Sequence, residues 1–180
     1  MANEYAAFVS PAVVTSGSQG APGGGIDDPY GFVSAGVGKG ITFPAKQTGS
    51  VYFPVRIPNS AALGTGLTFS LLLQDDVLNA SAGKVAVFGA TVGPITSGTS
   101  TFDENATTGP LVSCTEVTAT VTMPSTAGVL INLAIAVPIA DMNSLAAGGW
   151  AMVRLRRLGT NSSETHVGRV LLLGFDVRNT

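Results

Sequence analysis

Two residue types that build most catalytic and metal sites are nearly absent from this chain. Among its 180 residues there is one cysteine, Cys114, and one histidine, His166. A single cysteine excludes an internal disulfide, and a single histidine excludes metal sites built on two histidines. We therefore predict that the protein is not an enzyme and has no catalytic, cofactor or metal site. On this reading His166 is a surface-loop residue and Cys114 a buried, inert thiol.

Charge is also scarce. Only 11% of the residues are charged and the net charge is -2, whereas 45% are hydrophobic. Soluble domains usually carry about 25% charged residues. So little charge gives weak repulsion between copies, and charge depletion is typical of interface cores. The composition therefore favours a subunit that partners cover, with a secreted domain of neutral polar surface as the alternative.

Several other features are missing, and each excludes a class of partner or location. No apolar run approaches the 20 residues of a membrane span. The residues of 1–5 lack the basic start of a secretory signal, which predicts assembly in a reducing cytoplasm. The net charge is negative, and aromatic residues are not interleaved with the basic ones. We therefore expect neither a membrane nor a nucleic acid as partner.

Glycine and proline are abundant, and they are dense near the start of the chain. Residues 1–38 hold glycine-rich stretches that suit neither a helix nor a long strand, but they also carry apolar residues that need burial. We predict an extended N-terminal arm over 1–38, followed by a β-sandwich domain over 39–180. The arm is expected to anchor the subunit through contacts outside its own sandwich, through Tyr5, Phe8, Val9, Val13 and Val14.

From Gly40 onward, apolar and polar residues alternate, which is the pattern of half-buried strands. The predicted strands cover 51–57, 67–73, 84–92, 117–123, 129–137, 150–158 and 167–177, with a short strand at 41–43 or 111–114. The last two long strands are expected to form a hairpin, and 138–147 one or two helical turns. The fold class is therefore an all-β antiparallel sandwich, jelly-roll-like, with an immunoglobulin-like sandwich second.

Paired acidic residues occur at Asp75–Asp76 and at Asp103–Glu104. Neighbouring acids at a strand end point to different sides, and the chain has no calcium-loop motif. We interpret both pairs as solvated turns. If calcium binds anywhere, the first place to look is Asp75, Asp76 and Asn79.

One basic cluster stands out, at Arg154, Arg156 and Arg157. On a strand, Arg154 and Arg156 share a face, while Arg157 belongs with Leu155 unless the strand ends there. Two interpretations carry equal weight: a solvated edge that blocks aggregation, and a salt-bridge patch between subunits. Nucleic-acid binding ranks third.

Four stretches of the sequence resemble a group of small virion proteins of tailed bacteriophages: Gly49–Pro58, Leu72–Asp76, Val153–Thr160 and Leu171–Arg178. The resemblance implies a capsid decoration (cement) protein that is assembled in the host cytoplasm and binds the major capsid protein on the virion surface. It also implies a homo-oligomer, with a trimer favoured over a dimer. A head-fibre base or another minor virion protein fits equally well. From a different class, a carbohydrate-binding or adhesion module stays open.

Overall fold

The computed structural model describes residues 4–5, 13–15, 32–35, 38–44, 46–57, 63–75, 82–100, 109–126 and 128–180. Within these ranges the regular structure is almost entirely β. The strands are β1 Glu4–Tyr5, β2 Val13–Thr15, β3 Phe32–Ala35, β4 Gly38–Phe43, β5 Thr48–Arg56, β6 Leu67–Asp75, β7 Val85–Ile95, β8 Val117–Thr122, β9 Leu130–Val137, β10 Trp150–Leu158 and β11 Val170–Asn179.

The strands form two antiparallel sheets. Sheet A has the order β3-β4-β11-β6-β9, with β1 also paired to β11, and sheet B has the order β2-β5-β10-β7-β8. Strands β4 to β11 thus make two four-stranded layers with jelly-roll connectivity, which confirms the predicted all-β, jelly-roll-like sandwich. The predicted helical turn is a single 3-10 turn at Ile139–Asp141, directly after Pro138. No helix in the described part of the chain is long and apolar enough to cross a membrane.

The core lies between the sheets and is built from the apolar half of each alternating pattern. Phenylalanine rings lie at its centre. The ring centroids of Phe43 and Phe88 are 5.5 Å apart in an edge-to-face arrangement, and those of Phe53 and Phe175 are 4.6 Å apart. Each fully buried side chain of this size stabilises the fold by roughly 1.5–3 kcal/mol in transfer terms. The strand pattern therefore fixes which face of each sheet is inside.

One local prediction is wrong. The strands β10 and β11 do not form a hairpin, because β10 pairs with β5 and β7 while β11 pairs with β4 and β6. The connection over 159–169 instead carries the chain from one sheet to the other. Of the two places expected for a short strand, 41–43 is confirmed within β4, whereas residues 111–113 form a turn. Alternation along one strand shows which residues are buried, but it does not show which strand pairs with which.

The N-terminal arm differs from expectation as well. Its three short strands pair within their own subunit: β1 with β11, β2 with β5, and β3 with β4. At these strands the expected anchoring outside the sandwich is wrong, because the outer edges of β4 and β5, and the part of β11 beyond its pairing with β4, supply the main-chain partners. Tyr5 lies on β1, and Val13 and Val14 on β2, whereas Phe8 and Val9 lie outside the described residues.

Candidate interaction surfaces

The outer face of sheet A presents apolar residues where β6 and β9 lie side by side. In the register of these strands Leu72 is opposite Asn132, and Gln74 is opposite Leu130. Leu72 is 40% exposed and Leu130 is 56% exposed, and Val129, just before β9, is 41% exposed. We call this surface the apolar face and define it by its outward residues, Leu72, Val129, Leu130, Ala134 and Ala136.

An antiparallel sheet with one solvated face normally alternates apolar-in and polar-out. In β9 the inner residues Leu133, Ile135 and Val137 are buried as expected. The outer residues of β9 are leucine, asparagine and two alanines, so this outward face is mostly apolar. No residue of 117–140 is charged. The exposed apolar residues are interrupted by Asn132 and Gln74, but this surface carries no charge and so could be covered by another molecule at little desolvation cost.

The arginine cluster divides between the two faces of β10. Arg154 and Arg156 point outward from sheet B, as alternation predicts, and both meet Glu116 of their own chain. Arg156 donates from Nε and Nη2 to the two carboxylate oxygens of Glu116, at 2.5 and 2.6 Å. Nη2 of Arg154 lies 3.6 Å from Oε1 of Glu116 and donates to Oγ1 of Thr91 at 2.9 Å. The acidic partner expected from a neighbouring subunit is therefore already present within the chain.

Glu116 reaches the arginines because β7 carries glycines on its outer face. A side chain at Gly89 would overlap the carboxylate of Glu116, and one at Gly93 would overlap the carbonyl of Pro110. The segment 109–116 therefore lies directly across the outside of sheet B. Cys114 belongs to it, half-buried, with Sγ 3.5 Å from the carbonyl oxygen of Pro110. Burial raises the pKa of the Cys114 thiol, against a smaller opposing effect of Arg154, so its reactive thiolate form is disfavoured.

Arg157 has the opposite environment and corrects the sequence-based expectation. Its side chain is fully buried, so it cannot serve as a contact residue on the subunit surface. Nη2 donates to Oε1 of Glu164 at 2.6 Å and to the carbonyl oxygen of His166 at 3.0 Å. Nη1 donates to the carbonyl oxygens of Pro44 at 3.0 Å and Gly168 at 2.6 Å. One guanidinium thereby ties the 159–169 connection to the chain that follows β4.

Glu164 is equally enclosed and links this connection to sheet B. Its side chain is 1% exposed, and Oε2 accepts a hydrogen bond of 2.6 Å from the backbone N–H of Val87. Both carboxylate oxygens thus have a donor, one from Arg157 and one from β7. A buried ion pair needs this kind of complete hydrogen bonding to offset the desolvation of its charges.

His166 is not a surface residue, which corrects the second sequence-based expectation. Its ring is fully buried, with Nε2 3.0 Å from Oδ1 of Asp75, which is also fully buried. The two groups are in contact, but their orientation does not make a hydrogen bond. Burial lowers the pKa of His166, against an opposing effect of Asp75, and this favours the neutral form of the ring. We call Asp75, Arg157, Glu164 and His166 the buried charge cluster.

The cluster also revises the place suggested for calcium. Asp75 points inward beside His166 instead of into a solvated turn, and Asp76 and Asn79 lie outside the described residues. In the described ranges, no group of three or more His, Cys, Asp or Glu side chains is placed to hold a metal ion. The sequence contains a signal for these inward positions. Asp75 is an even number of residues from the buried Leu71 and Leu73, and Arg157 is two residues from the buried Leu155, so each shares the inner face of its strand.

One aromatic side chain is exposed on the outer face of sheet B. Trp150, the first residue of β10, is 48% exposed, and the guanidinium carbon of Arg56 lies 5.8 Å from the centre of its ring. The two residues are opposite each other in the β5–β10 register. A flat aromatic surface beside hydrogen-bond donors is a common component of ligand sites.

Comparison with known proteins adds only a distant structural likeness. No family model matches the chain, and no curated protein matches it. Among solved structures, the chain is similar to TmCBM61 in complex with beta-1,4-galactotriose. The identity is 13%, the match covers 79% of this chain and 71% of that one, and the TM-score is 0.36.

Proposed function

We propose that this protein is a structural virion protein that binds the outside of a phage capsid lattice and stabilises it through protein–protein contacts, as a decoration protein. The observation that carries the binding role is the apolar face, on which Leu72, Val129 and Leu130 are exposed and no side chain is charged. The capsid as partner rests on the resemblance of residues 49–178 to small virion proteins of tailed phages.

The physical chemistry of the apolar face suits a protein lattice. Leu72 is 40% and Leu130 56% exposed, so burying the exposed part of each contributes on the order of 1 kcal/mol, and no charged group among the residues of the apolar face has to be desolvated. The outer face of a sheet is also broad and extended, which suits the surface of a lattice better than a deep pocket does. Self-association of the subunit would multiply these contacts, because linked copies bind a repeating surface with added avidity.

The test is binding to capsids stripped of accessory proteins. Leu72→Lys places a charge in the centre of the apolar face, on a strand that is not at a sheet edge, so we expect at least a tenfold loss of affinity in co-sedimentation. Val112→Lys is the matched control, because Val112 is 53% exposed on the segment that lies over sheet B. Equal binding by wild type and Leu72→Lys would exclude the apolar face as the capsid contact. Absence of any binding by wild type would reject the capsid role.

A second candidate function, carbohydrate binding, has one specific observation in its favour, the exposed ring of Trp150 beside Arg56. An exposed indole can stack on the apolar face of a sugar ring while a guanidinium donates to its hydroxyl groups. The test is calorimetric titration with oligosaccharides of several compositions. Binding that is lost in Trp150→Ala and retained in Leu72→Lys would favour this function over the capsid role.

A further inference from the structure

The sandwich has two lateral sides, where the sheets end, and they differ in whether their edges are covered by the N-terminal arm. On one side, the edges of β4 and β5 are covered by β3 and β2, which belong to the N-terminal arm. On the other side, sheet A ends at β9 and sheet B ends at β8. Among the described residues β9 pairs only with β6, so one row of its backbone N–H and C=O groups faces outward from the sheet.

Natural proteins protect such edges with charged residues, proline, bulges or very short strands. The eight residues of β9 include none that is charged and no proline, and their register with β6 runs without a bulge. The neighbouring edge strand β8 is also free of charge. An edge of this length and composition is a template for another strand.

We propose that β9 pairs antiparallel with β9 of a second copy of this chain, joining two A sheets across a twofold axis. An antiparallel edge is complementary to itself, because each copy offers the same alternating donors and acceptors. Since 117–140 is uncharged, two copies meet on this side without like charges facing each other. A strongly charged partner would have to desolvate its own charges here without compensation.

The available area supports a dimer. A strand of eight residues is about 26 Å long, and two sheets with their side chains are roughly 20 Å thick. The side formed by β8 and β9 therefore offers on the order of 500 Å² per copy, or about 1,000 Å² in total, close to the lower limit of specific interfaces. We expect a reversible dimer, which differs from the trimer that the resemblance implies.

The pairing also defines which residues meet. Opposite residues in a sheet point to the same side, so only registers that match equal faces are allowed. The registers that use nearly all of β9 place Ala134 opposite Ala134 or opposite Asn132 of the second copy, with Cβ atoms about 5 Å apart. In either register the two apolar faces become neighbours on one continuous sheet. The dimer would present both apolar faces together for capsid binding. That consequence rests on the proposed function, whereas the pairing of β9 with β9 does not.

The first experiment introduces a like charge at the predicted contact. Sedimentation equilibrium of the full chain should show a dimer for wild type and a monomer for Ala134→Lys, because two lysines would lie close to each other across the axis. Ser162→Lys adds the same charge to an exposed loop and should stay dimeric. Thermal melting followed by circular dichroism establishes that Ala134→Lys is folded. A wild-type monomer at ~100 µM, a trimer, or a dimer that Ala134→Lys leaves unchanged would overturn the proposal.

The second experiment detects the contact directly. With Cys114→Ser as background, Ala134→Cys should be cross-linked to a dimer by a short bismaleimide, while Ser162→Cys should not. Equal cross-linking of both variants would reject the β9 contact. The capsid assay separates this inference from the proposed function. A β9 dimer without capsid affinity would reject only the function, and a monomeric wild type that binds capsids would reject only the pairing.

Discussion

The buried charge cluster and the apolar face reverse the usual distribution of charge in a folded domain. Arg157, Glu164, His166 and Asp75 are almost completely enclosed at one end of the sandwich. On the β6–β9 side, by contrast, leucine, valine and alanine face outward. Most domains do the opposite, because ionised groups are costly to bury and apolar groups are costly to expose.

The two regions differ in whether their side chains find partners within the subunit. Arg157 and Glu164 hydrogen-bond to each other and to three parts of the chain, Pro44, the 159–169 connection and β7, so this ion pair has its partners within one subunit. The apolar face and the edge of β9 lack any equivalent cover among the described residues. The Arg157–Glu164 pair therefore holds segments of one subunit together, whereas the β6–β9 side carries the contacts that we propose for assembly.

The largest effect is expected from removing the buried guanidinium. Arg157→Met leaves Glu164 without its cation, and breaking one half of a buried ion pair costs about 3–5 kcal/mol. Arg156→Met is the matched control on the same strand. The side chain of Arg156 is 29% exposed, and a partly exposed pair of this kind contributes on the order of 1 kcal/mol. Urea unfolding measures both free energies. Similar losses for the two variants would show that the enclosed end has no special role.

Neutralising the buried acid should have a somewhat smaller effect. Glu164→Gln removes the anion and turns the NH2 of its amide toward one of the two donors, but Arg157 keeps its carbonyl acceptors at Pro44, His166 and Gly168. We expect a loss of about 1.5–3 kcal/mol in the free energy of unfolding, the range for hydrogen bonds to charged groups. Glu116→Gln is the control in the outer arginine pair, where the acid side chain is 16% exposed. Its cost should be clearly lower. A larger loss for Glu116→Gln would show that the main electrostatic contribution to the free energy of unfolding comes from the outside of sheet B.

The pH dependence should be smaller still and has a definite sign. The pKa of His166 is lowered in the folded protein, so the unfolded chain binds the proton more readily. The stability associated with the neutral ring is complete above the ordinary histidine value of about 6.5 and is lost as the pH falls toward the lowered pKa. Between pH 7.5 and pH 5.5, the urea midpoint of unfolding should fall more for wild type than for His166→Gln. Parallel changes would show that His166 does not contribute.

The smallest effect is expected on the apolar face. Leu130→Ala should change the stability of the diluted, dissociated subunit by about 0.5 kcal/mol, since this side chain is 56% exposed. Leu133→Ala, on the same strand but 7% exposed, should cost about 2–5 kcal/mol. If Leu130→Ala were as costly as Leu133→Ala, the face would be covered within the subunit and not available to a partner.

Much of the fold could be predicted from the sequence because alternation is a local property. The inner residues of β5, β6, β9 and β10 follow directly from their pattern, and with them the all-β sandwich. Of the surfaces, the charge depletion over 117–140 is evident in the amino-acid sequence alone, and so is the shared face of Arg154 and Arg156. Pairing partners do not follow from alternation, and the hairpin predicted for β10 and β11 does not form.

The sequence by itself determined which apolar residues turn inward. The parity of Arg157 and Asp75 matches that of their apolar neighbours, although the Asp75–Asp76 pair by itself suggests a solvated turn. Only the tertiary structure decided what those inward charges meet, because Glu164 and His166 reach them through a connection that changes sheets. The same holds for Glu116, which reaches Arg156 only where Gly89 leaves room on a neighbouring strand. Burial follows from local periodicity, whereas the partner of a buried or paired charge depends on contacts between segments far apart in the chain.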